Sequence, residues 1–302
     1  MNMNDIFLSL VIPTNGVPEW VFPVLDSIYA QEFDQEQFEV IVTDNGTNRE
    51  FEQGMQTYVS RHSNLVYKKT QAKQFLNQVE AFKLARGRLI KFVNHRMKLC
   101  PGAIRQLAEF ARDNAQSRPG VYFMNGAIPG KTGRETFGDF DGYVRGLGHF
   151  SSWSAGTAMW KEDFDRMDHD QTFNATFPHT DFVFFDKKKT EYIIDHSVMF
   201  EEIPVDDTKK GHYDLFYAFA VEYPGLILEL CRKGDISLET FLAVKEDNLD
   251  FLATLYYGYV LRKMPCSYDV SGYKEAIRVF YCHRDIWHMI AKIAWKKVLG
   301  KR

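Results

Sequence analysis

Polar side chains that can bind a ligand follow three apolar runs in the first third of the chain. Each run is short and rich in β-branched residues, which is typical of a strand buried on both faces. The polar sets are Pro13-Thr14-Asn15, Asp44-Asn45 and Asn94-His95-Arg96. A carboxylate such as that of Asp44 accepts hydrogen bonds from a ribose or from a base N–H. The alternative interpretation of Asp44-Asn45-Gly46 is a plain turn, because Asn-Gly is a strong turn signal.

The elements around these sets alternate between strand and helix. Strand patterns cover residues 6–12, 38–43 and 89–93, and helical spacing covers residues 71–86 up to Gly87. Such alternation predicts an α/β fold with a mostly parallel sheet flanked by helices. Because ligands of these sheets bind beyond the carboxyl ends of the strands, we expect the three polar sets at one binding edge.

The chain changes character twice after this part. Residues 125–156 contain eight glycines and predict long loops around a site. From Tyr213 onward, apolar periodicity predicts long helices over residues 215–231, 238–264 and 273–299. We therefore predict a first domain of residues 1–208 and a helical extension of residues 209–302.

Composition excludes several classes of protein. The 302 residues are 45% hydrophobic and 25% charged, an ordinary globular balance, and the net charge of −3 argues against a nucleic-acid partner. The four cysteines form no CxxC pair and indicate reduced thiols. No apolar run reaches the roughly 18 residues of a membrane span, and Asp5 interrupts the position of a signal peptide. The expected localisation is cytoplasmic.

Several short segments, in the right order, resemble the opening of the family-2 inverting glycosyltransferases. They are Leu10–Thr14, Leu25–Ile28 with Gln31, Val40–Thr47 and Ala85–Gly87. The resemblance is good over residues 6–105 and looser to about residue 200. It implies a GT-A fold with a Rossmann-like sheet, a nucleotide-sugar-binding half at residues 1–105 and an acceptor half at residues 106–208. By this resemblance Pro13, Thr14, Asn15, Asp44 and Asn45 bind the donor.

The chain departs from the family where the metal-binding Asp-X-Asp motif belongs. Asn94-His95-Arg96 stands there, and Mg²⁺ or Mn²⁺ prefers carboxylate oxygens to one amide oxygen beside a guanidinium. A divalent cofactor is therefore doubtful, and we assign no metal ligand. Arg96 can neutralise the departing diphosphate in place of the cation, with Asn94 and His95 also facing the donor. The alternative is a decayed site in a catalytically inactive binding partner of a polysaccharide synthase.

The resemblance also implies a catalytic base and an acceptor surface. An inverting transferase needs a carboxylate that takes the proton of the acceptor hydroxyl. The counterpart in this chain is Asp181, with His179 as an acceptor contact, although Asp181 is also compatible with a helix N-cap. The small-residue segment Ser154-Ala155-Gly156 corresponds to the surface that faces both sugars. His212 is a candidate diphosphate contact, and a plain loop histidine is the alternative.

The C-terminal segment 283–302 carries six Lys or Arg against one Asp. Trp287, Ile290, Ile293, Ala294 and Val298 share one helical face, which predicts a basic amphipathic helix at an anionic membrane surface. The alternative is a terminal helix packed on its neighbours. Together these features predict a transferase that moves a sugar from a nucleotide donor to a saccharide hydroxyl, lipid-linked or part of a bacterial O-antigen or capsule, on the cytoplasmic face of the inner membrane.

Overall fold

The computed structural model describes residues 6–298, which form two compact units. The first unit contains the chain up to Asp139 and Trp153–Ile203, and the second contains Phe140–Ser152 and the chain from Pro204 onward. The chain therefore leaves the first unit and returns to it before residue 204. The sequence-based division at residue 208 instead placed residues 140–152 within the first domain.

A five-stranded sheet forms the centre of the first unit. Its strands are β1 (Leu8–Thr14), β2 (Phe38–Asp44), β3 (Leu65–Lys69), β4 (Leu89–Phe92) and β8 (Ala158–Trp160). They lie in the order β3-β2-β1-β4-β8; the first four are parallel, and β8 runs antiparallel to β4. The predicted α/β fold with a mostly parallel central sheet is confirmed.

Two smaller sheets and six helices complete the described part of this unit. Strand β5 (Met97–Leu99) pairs with β10 (Phe200–Glu202), and β6 (Gly120–Phe123), β7 (Arg134–Phe137) and β9 (Tyr192–Asp195) form a three-stranded sheet. The helices are α1 (Pro18–Tyr29), α2 (Arg49–Arg61), α3 (Asn77–Leu84), α4 (Ala103–Asp113), α6 (Lys161–Arg166) and α7 (Pro178–Val183). Strand β7 lies in the segment predicted as loops, so that part of the prediction was wrong.

Burial on both faces explains why the central strands are continuously apolar. Leu10 and Ile12 of β1 point into one core, where helices α1, α2 and α4 contribute apolar side chains. The intervening Val11 points into the opposite core, which Phe82 of α3 and Phe182 of α7 also fill. Alternate side chains of one strand thus pack against both helical layers, and this packing holds the strands and their ends in place.

The second unit is helical. Its elements are α5 (Phe140–Leu147), α8 (Leu215–Tyr217), α9 (Tyr223–Arg232), α10 (Leu238–Leu255), α11 (Tyr273–Phe280) and α12 (His283–Val298), with π-helical turns at Ala218–Glu222 and Tyr256–Leu261. Helix α5 lies in the segment predicted as loops. The single predicted helix over 273–299 is in fact two helices, because Tyr281 is extended and Asp285 accepts a hydrogen bond from the Cys282 N–H at the start of α12.

Residues 140–152 belong to this second unit through polar contacts. Asp141 Oδ1 accepts a 2.6 Å hydrogen bond from the Ser237 N–H, and His149 Nδ1 lies 2.8 Å from Asp247 Oδ2. The buried Ser151 and Tyr223 hydroxyls lie 2.8 Å apart. Within residues 6–298, every helix falls short of the length and apolar character that crossing a bilayer requires.

Candidate active site

Strand pairing brings two of the three polar sets to one edge of the sheet. Thr14 pairs with Asp44 in register at the ends of β1 and β2. Strand β4 lies on the other side of β1, and the Val93 N–H donates to the Val11 carbonyl over 2.8 Å. Asn94, His95 and Arg96 follow directly, and His95 Nδ1 lies 2.9 Å from Thr14 Oγ1. The site therefore begins where parallel strands expose their carboxyl ends, as the sequence predicted.

Asp44 is a fully buried carboxylate with three hydrogen-bond donors around it. Oδ1 accepts from the Gly46 N–H at 2.7 Å, and Oδ2 accepts from the Tyr67 hydroxyl and the Lys69 ammonium, each at 2.9 Å. The ammonium of Lys69 lies 2.9 Å from Glu52 as well. These contacts hold the carboxylate rigidly. Asp44 therefore forms the predicted turn, and this is compatible with its predicted role at a ligand site.

The turn after Asp44 requires glycine because two loops touch there. A Cβ atom on Gly46 would lie 1.9 Å from the backbone oxygen of Asn15, well inside any allowed contact. The Asn45 N–H donates to the Thr14 carbonyl over 3.1 Å, and the Asn45 side chain donates to the Ala72 carbonyl. The loops after β1 and β2 therefore form one packed surface.

Asn77, which was not among the predicted site residues, connects the loops of this surface by hydrogen bonds. The buried Asn77, the first residue of α3, donates from Nδ2 to the carbonyls of Thr14 and Thr43, at 3.1 and 2.9 Å. Its Oδ1 accepts a 2.7 Å hydrogen bond from the Thr70 hydroxyl. One amide thereby joins β1, β2 and the loop after β3. Its sequence signal is weak, because Asn77 reads as an ordinary polar residue at the start of a helix.

The segment that replaces Asp-X-Asp folds as a tight turn. Asn94 Oδ1 accepts a 3.0 Å hydrogen bond from the Arg96 N–H. The His95 ring meets Trp20 edge-on at 5.1 Å, and the Arg96 guanidinium lies 5.5 Å from the centre of the same indole. Burial, reinforced by the Arg96 charge, lowers the pKa of His95 to about 3, so this histidine is neutral at physiological pH.

Arg96 has a buried donor that the protein does not use. Its Nε is enclosed and has no hydrogen-bond partner among the described residues, and leaving a buried donor unpaired costs free energy. The indole of Trp20 stacks against the guanidinium and limits its movement. The arrangement leaves an oriented cation with free donors, as anion binding requires.

The donor atoms of this turn do not fit a divalent metal ion. Asn94 Oδ1 is occupied by the Arg96 N–H, His95 Nδ1 by the Thr14 hydroxyl, and the Arg96 charge repels cations. Within the described residues, moreover, no three His, Cys, Asp or Glu side chains gather closely enough to hold a metal. We therefore derive no catalytic step through a metal.

The small-residue segment lies beside β4 and is held by a buried lysine. Ser154, Ala155 and Gly156 form a 3₁₀ turn before β8. The side chain of Lys91, fully buried in β4, donates to the carbonyls of Phe92, Ala155 and Thr157. Desolvation by the surrounding protein lowers the pKa of Lys91 well below its usual value. The sequence signal for this role is a lysine inside the apolar run Leu89–Val93, which indicates a buried cation.

Asp181 lies in the first turn of α7, half-buried. Its Oδ2 accepts a 3.0 Å hydrogen bond from the Asn174 N–H, and no cation pairs with it within residues 6–298. Burial raises the pKa of this carboxyl above its ordinary value. Helix α7 packs against α3, where the rings of Phe82 and Phe182 stack at 4.3 Å, and against β8. Asp181 caps a loop turn instead of its own helix, because Asn174 precedes α7.

The other two predicted histidines have different surroundings. His179 is buried in α7, and its ring meets that of Phe177 at 6.1 Å. His212 belongs to the second compact unit, where it is exposed and its Nδ1 lies 2.8 Å from the Ser267 carbonyl oxygen. Their predicted acceptor and diphosphate contacts stay predictions, as does the donor contact of Pro13.

This sheet, with its ligand edge between two helical layers, defines the GT-A class of nucleotide-sugar-binding enzymes. Residues 9–193 match the model of Glycosyl transferase family 2, and the chain belongs to that family. The protein is a glycosyltransferase. A comparison with curated proteins finds no match.

Solved structures of the same fold have low sequence identity to this chain. S. aureus TarS 1–349 in complex with UDP-GlcNAc has a TM-score of 0.59 at 15% identity, covering 92% of this chain and 82% of that chain. The mannosyltransferase PcManGT from Pyrobaculum calidifontis, in complex with GDP-Man and Mn²⁺, has a TM-score of 0.52 at 15% identity, covering 96% and 87%. Another S. aureus TarS structure, with a TM-score of 0.55 at 16% identity, is matched over 85% of this chain but only 45% of its own length.

Proposed function

We propose that this glycosyltransferase inverts the configuration of a sugar that it moves from a nucleotide donor to a saccharide hydroxyl, and that it does so without a divalent metal. The observation that carries the proposal is the half-buried, unpaired carboxylate of Asp181 in the same compact unit as the strand-end site. A general base needs this combination, since a raised pKa strengthens the base and the absence of a cation leaves it free to accept a proton.

The proposed reaction is a single displacement. Asp181 accepts the proton of the acceptor hydroxyl, whose oxygen forms a bond to the anomeric carbon. The bond between that carbon and the diphosphate oxygen breaks on the opposite face, so the configuration inverts. The leaving diphosphate takes the bonding electron pair, and the guanidinium of Arg96 neutralises its charge.

The strand-end residues hold the nucleoside in this proposal. Asp44 and Thr14 lie side by side in rigid surroundings, and the buried Asp44 carboxylate fixes the Tyr67 hydroxyl and the Lys69 ammonium beside the strand ends. Two of the similar structures contain UDP-GlcNAc and GDP-Man.

The identity of the donor nucleotide is tested by calorimetric titration of UDP, GDP, CDP and dTDP, each with and without EDTA. We expect one nucleotide to bind equally well in both conditions, and binding abolished by EDTA would contradict the metal-free proposal.

We place the enzyme in the assembly of a bacterial surface polysaccharide, O-antigen or capsule, at the cytoplasmic face of the inner membrane. The basic C-terminal segment supports this setting, since a lipid-linked acceptor would bring its enzyme to an anionic surface. Exposed Trp287 and Lys292 agree with it. The side chains of Ile293, Ala294 and Val298, which the amphipathic prediction included, lie outside the described residues.

The substitution Asp181→Asn tests the catalytic proposal. It keeps the shape and the hydrogen bond from Asn174 but removes the base, so we expect kcat to fall about 10²- to 10⁴-fold while the affinity for the donor nucleotide is unchanged. Asp165→Asn, at an exposed position in α6, is the matched control. Turnover of Asp181→Asn at the rate of the control would refute the assignment.

A further inference from the structure

The loop that follows the second π-helical turn exposes apolar and cationic side chains together. All five residues of Leu261-Arg262-Lys263-Met264-Pro265 are exposed, with Leu261 at 38% and Met264 at 44% of their full surface. Lys263 has a φ of +51°, in the left-handed region, which turns the chain sharply there. The loop thus presents two apolar side chains and two cations to the same surroundings.

An aromatic side chain continues this surface. The Met264 N–H donates to the Gly258 carbonyl over 3.1 Å, so the loop folds back on the helical turn that carries the exposed Tyr257. We call the set of Tyr257 and residues 261–265 the tip surface.

The charge of the tip surface has one sign. No Asp or Glu occurs in the sequence between Asp250 and Asp269. Asp207, whose carboxylate reaches this region by accepting from the Tyr259 hydroxyl at 3.0 Å, is already paired with Lys210 at 2.7 Å. Among the side chains that the structure describes, no carboxylate pairs with Arg262 or Lys263, and the Arg262 guanidinium lies 6.0 Å from the centre of the Tyr257 ring.

We propose that the tip surface docks on an anionic lipid bilayer, with Leu261 and Met264 entering the headgroup region and Arg262 and Lys263 contacting lipid phosphates. Tyrosine favours the bilayer interface, and cations beside it gain from the negative surface potential. The proposal rests on the membrane setting of the proposed function. It identifies a second contact besides the basic helix α12, at the C-terminal end of the helix predicted over residues 238–264.

Vesicle cosedimentation of the full chain tests this. We expect the protein to bind vesicles that contain phosphatidylglycerol, to bind phosphatidylcholine vesicles weakly, and to dissociate at high salt. Arg262→Ala with Lys263→Ala should weaken binding roughly 25-fold, about fivefold for each cation. Leu261→Ser with Met264→Ser should weaken it about tenfold or more through the lost apolar area.

A matched control is Leu238→Ser. Leu238 is 62% exposed and begins α10, about 25 Å from the helix end that leads to the loop. It should leave vesicle binding unchanged. Circular dichroism shows whether each variant is folded, and transfer to a soluble acceptor measures the catalytic proposal separately, because lipid binding does not require turnover. Loop variants that bind like the control, or a wild-type chain that ignores phosphatidylglycerol, would overturn the proposal. So would a dimer in sedimentation analysis that the loop variants abolish, because the tip surface would then contact a second copy.

Discussion

Burial of the proposed base Asp181 lowers the stability of the folded protein at neutral pH. Burial raises the folded-state pKa of this carboxyl, so the folded protein holds the proton more tightly than the unfolded chain does. Stability is therefore lost as the pH rises from the unfolded value, near 3.9, through the raised folded value. Asp181→Asn cannot ionise and escapes this loss. We expect its urea midpoint at pH 7 to equal or exceed that of the wild type, although its activity is lost. A variant less stable by more than about 1 kcal/mol would contradict this.

Substitution of Arg96 tests which part of the nucleotide donor this residue contacts, the diphosphate or the nucleoside. Because its guanidinium charge, held in place by Trp20, suits a diphosphate, Arg96→Ala should weaken binding of UDP, or of whichever nucleoside diphosphate binds, about 10- to 100-fold and leave binding of the free nucleoside unaffected. Calorimetry with both ligands measures the difference. Lys98→Ala is the control, since Lys98 is a nearby cation that pairs with Glu201 at 3.2 Å. Equal losses for nucleoside and diphosphate would place Arg96 outside the diphosphate site.

At the scale of elements, Asn77 determines whether the strand ends stay together. Asn77→Ala removes the side-chain hydrogen bonds to the carbonyls of Thr14 and Thr43, of which Thr14 keeps the one from the Asn45 N–H, at a cost of about 2 kcal/mol in unfolding free energy. Donor affinity should fall as well, because both carbonyls belong to residues at the binding edge. Urea unfolding and nucleotide titration measure the two effects. Gln56→Ala, at an exposed position in α2, should change neither. A stable variant with weak binding, or the reverse, would show that the two roles are separable.

The same contacts explain what could be predicted from sequence. The positions of the strand ends could be predicted, because a change from apolar to polar residues is a local pattern. The order Asp44-Asn45-Gly46 likewise indicates a turn from local sequence alone. Helix α5 was hidden by its glycines, although Tyr143, Val144 and Leu147 have helical spacing. The partners of Asn77 and Lys91 were not predictable, although a lysine within an apolar run marks its own position, because each partner lies far away in the chain: Thr14 is 63 residues from Asn77, and Ala155 is 64 from Lys91.

At the scale of the whole molecule, the two compact units determine where the chain can be divided. A chain cut after residue 208 would keep α5 but lose Ser237 and Asp247, which bind residues 140–152. The apolar face of α5, buried in the intact protein, would then be exposed. We expect this truncated chain to aggregate. A chain of residues 1–203 in which a Gly-Ser linker replaces residues 140–152 should stay monomeric and bind the donor nucleotide. Gel filtration and calorimetry compare the two, and a soluble, monomeric chain of residues 1–208 would contradict the expectation.

The excursion of residues 140–152 also has a consequence during translation. Strands β1 to β4 all lie within the first 92 residues, so the ribosome synthesises the four parallel strands of the sheet early. His149 must wait for Asp247, which is 98 residues later. At about 5–20 residues per second, that is a delay of roughly 5–20 s. Until α10 is synthesised, the apolar side of α5 lacks that helix as a partner, which makes the nascent chain at this stage a natural substrate for a ribosome-bound chaperone.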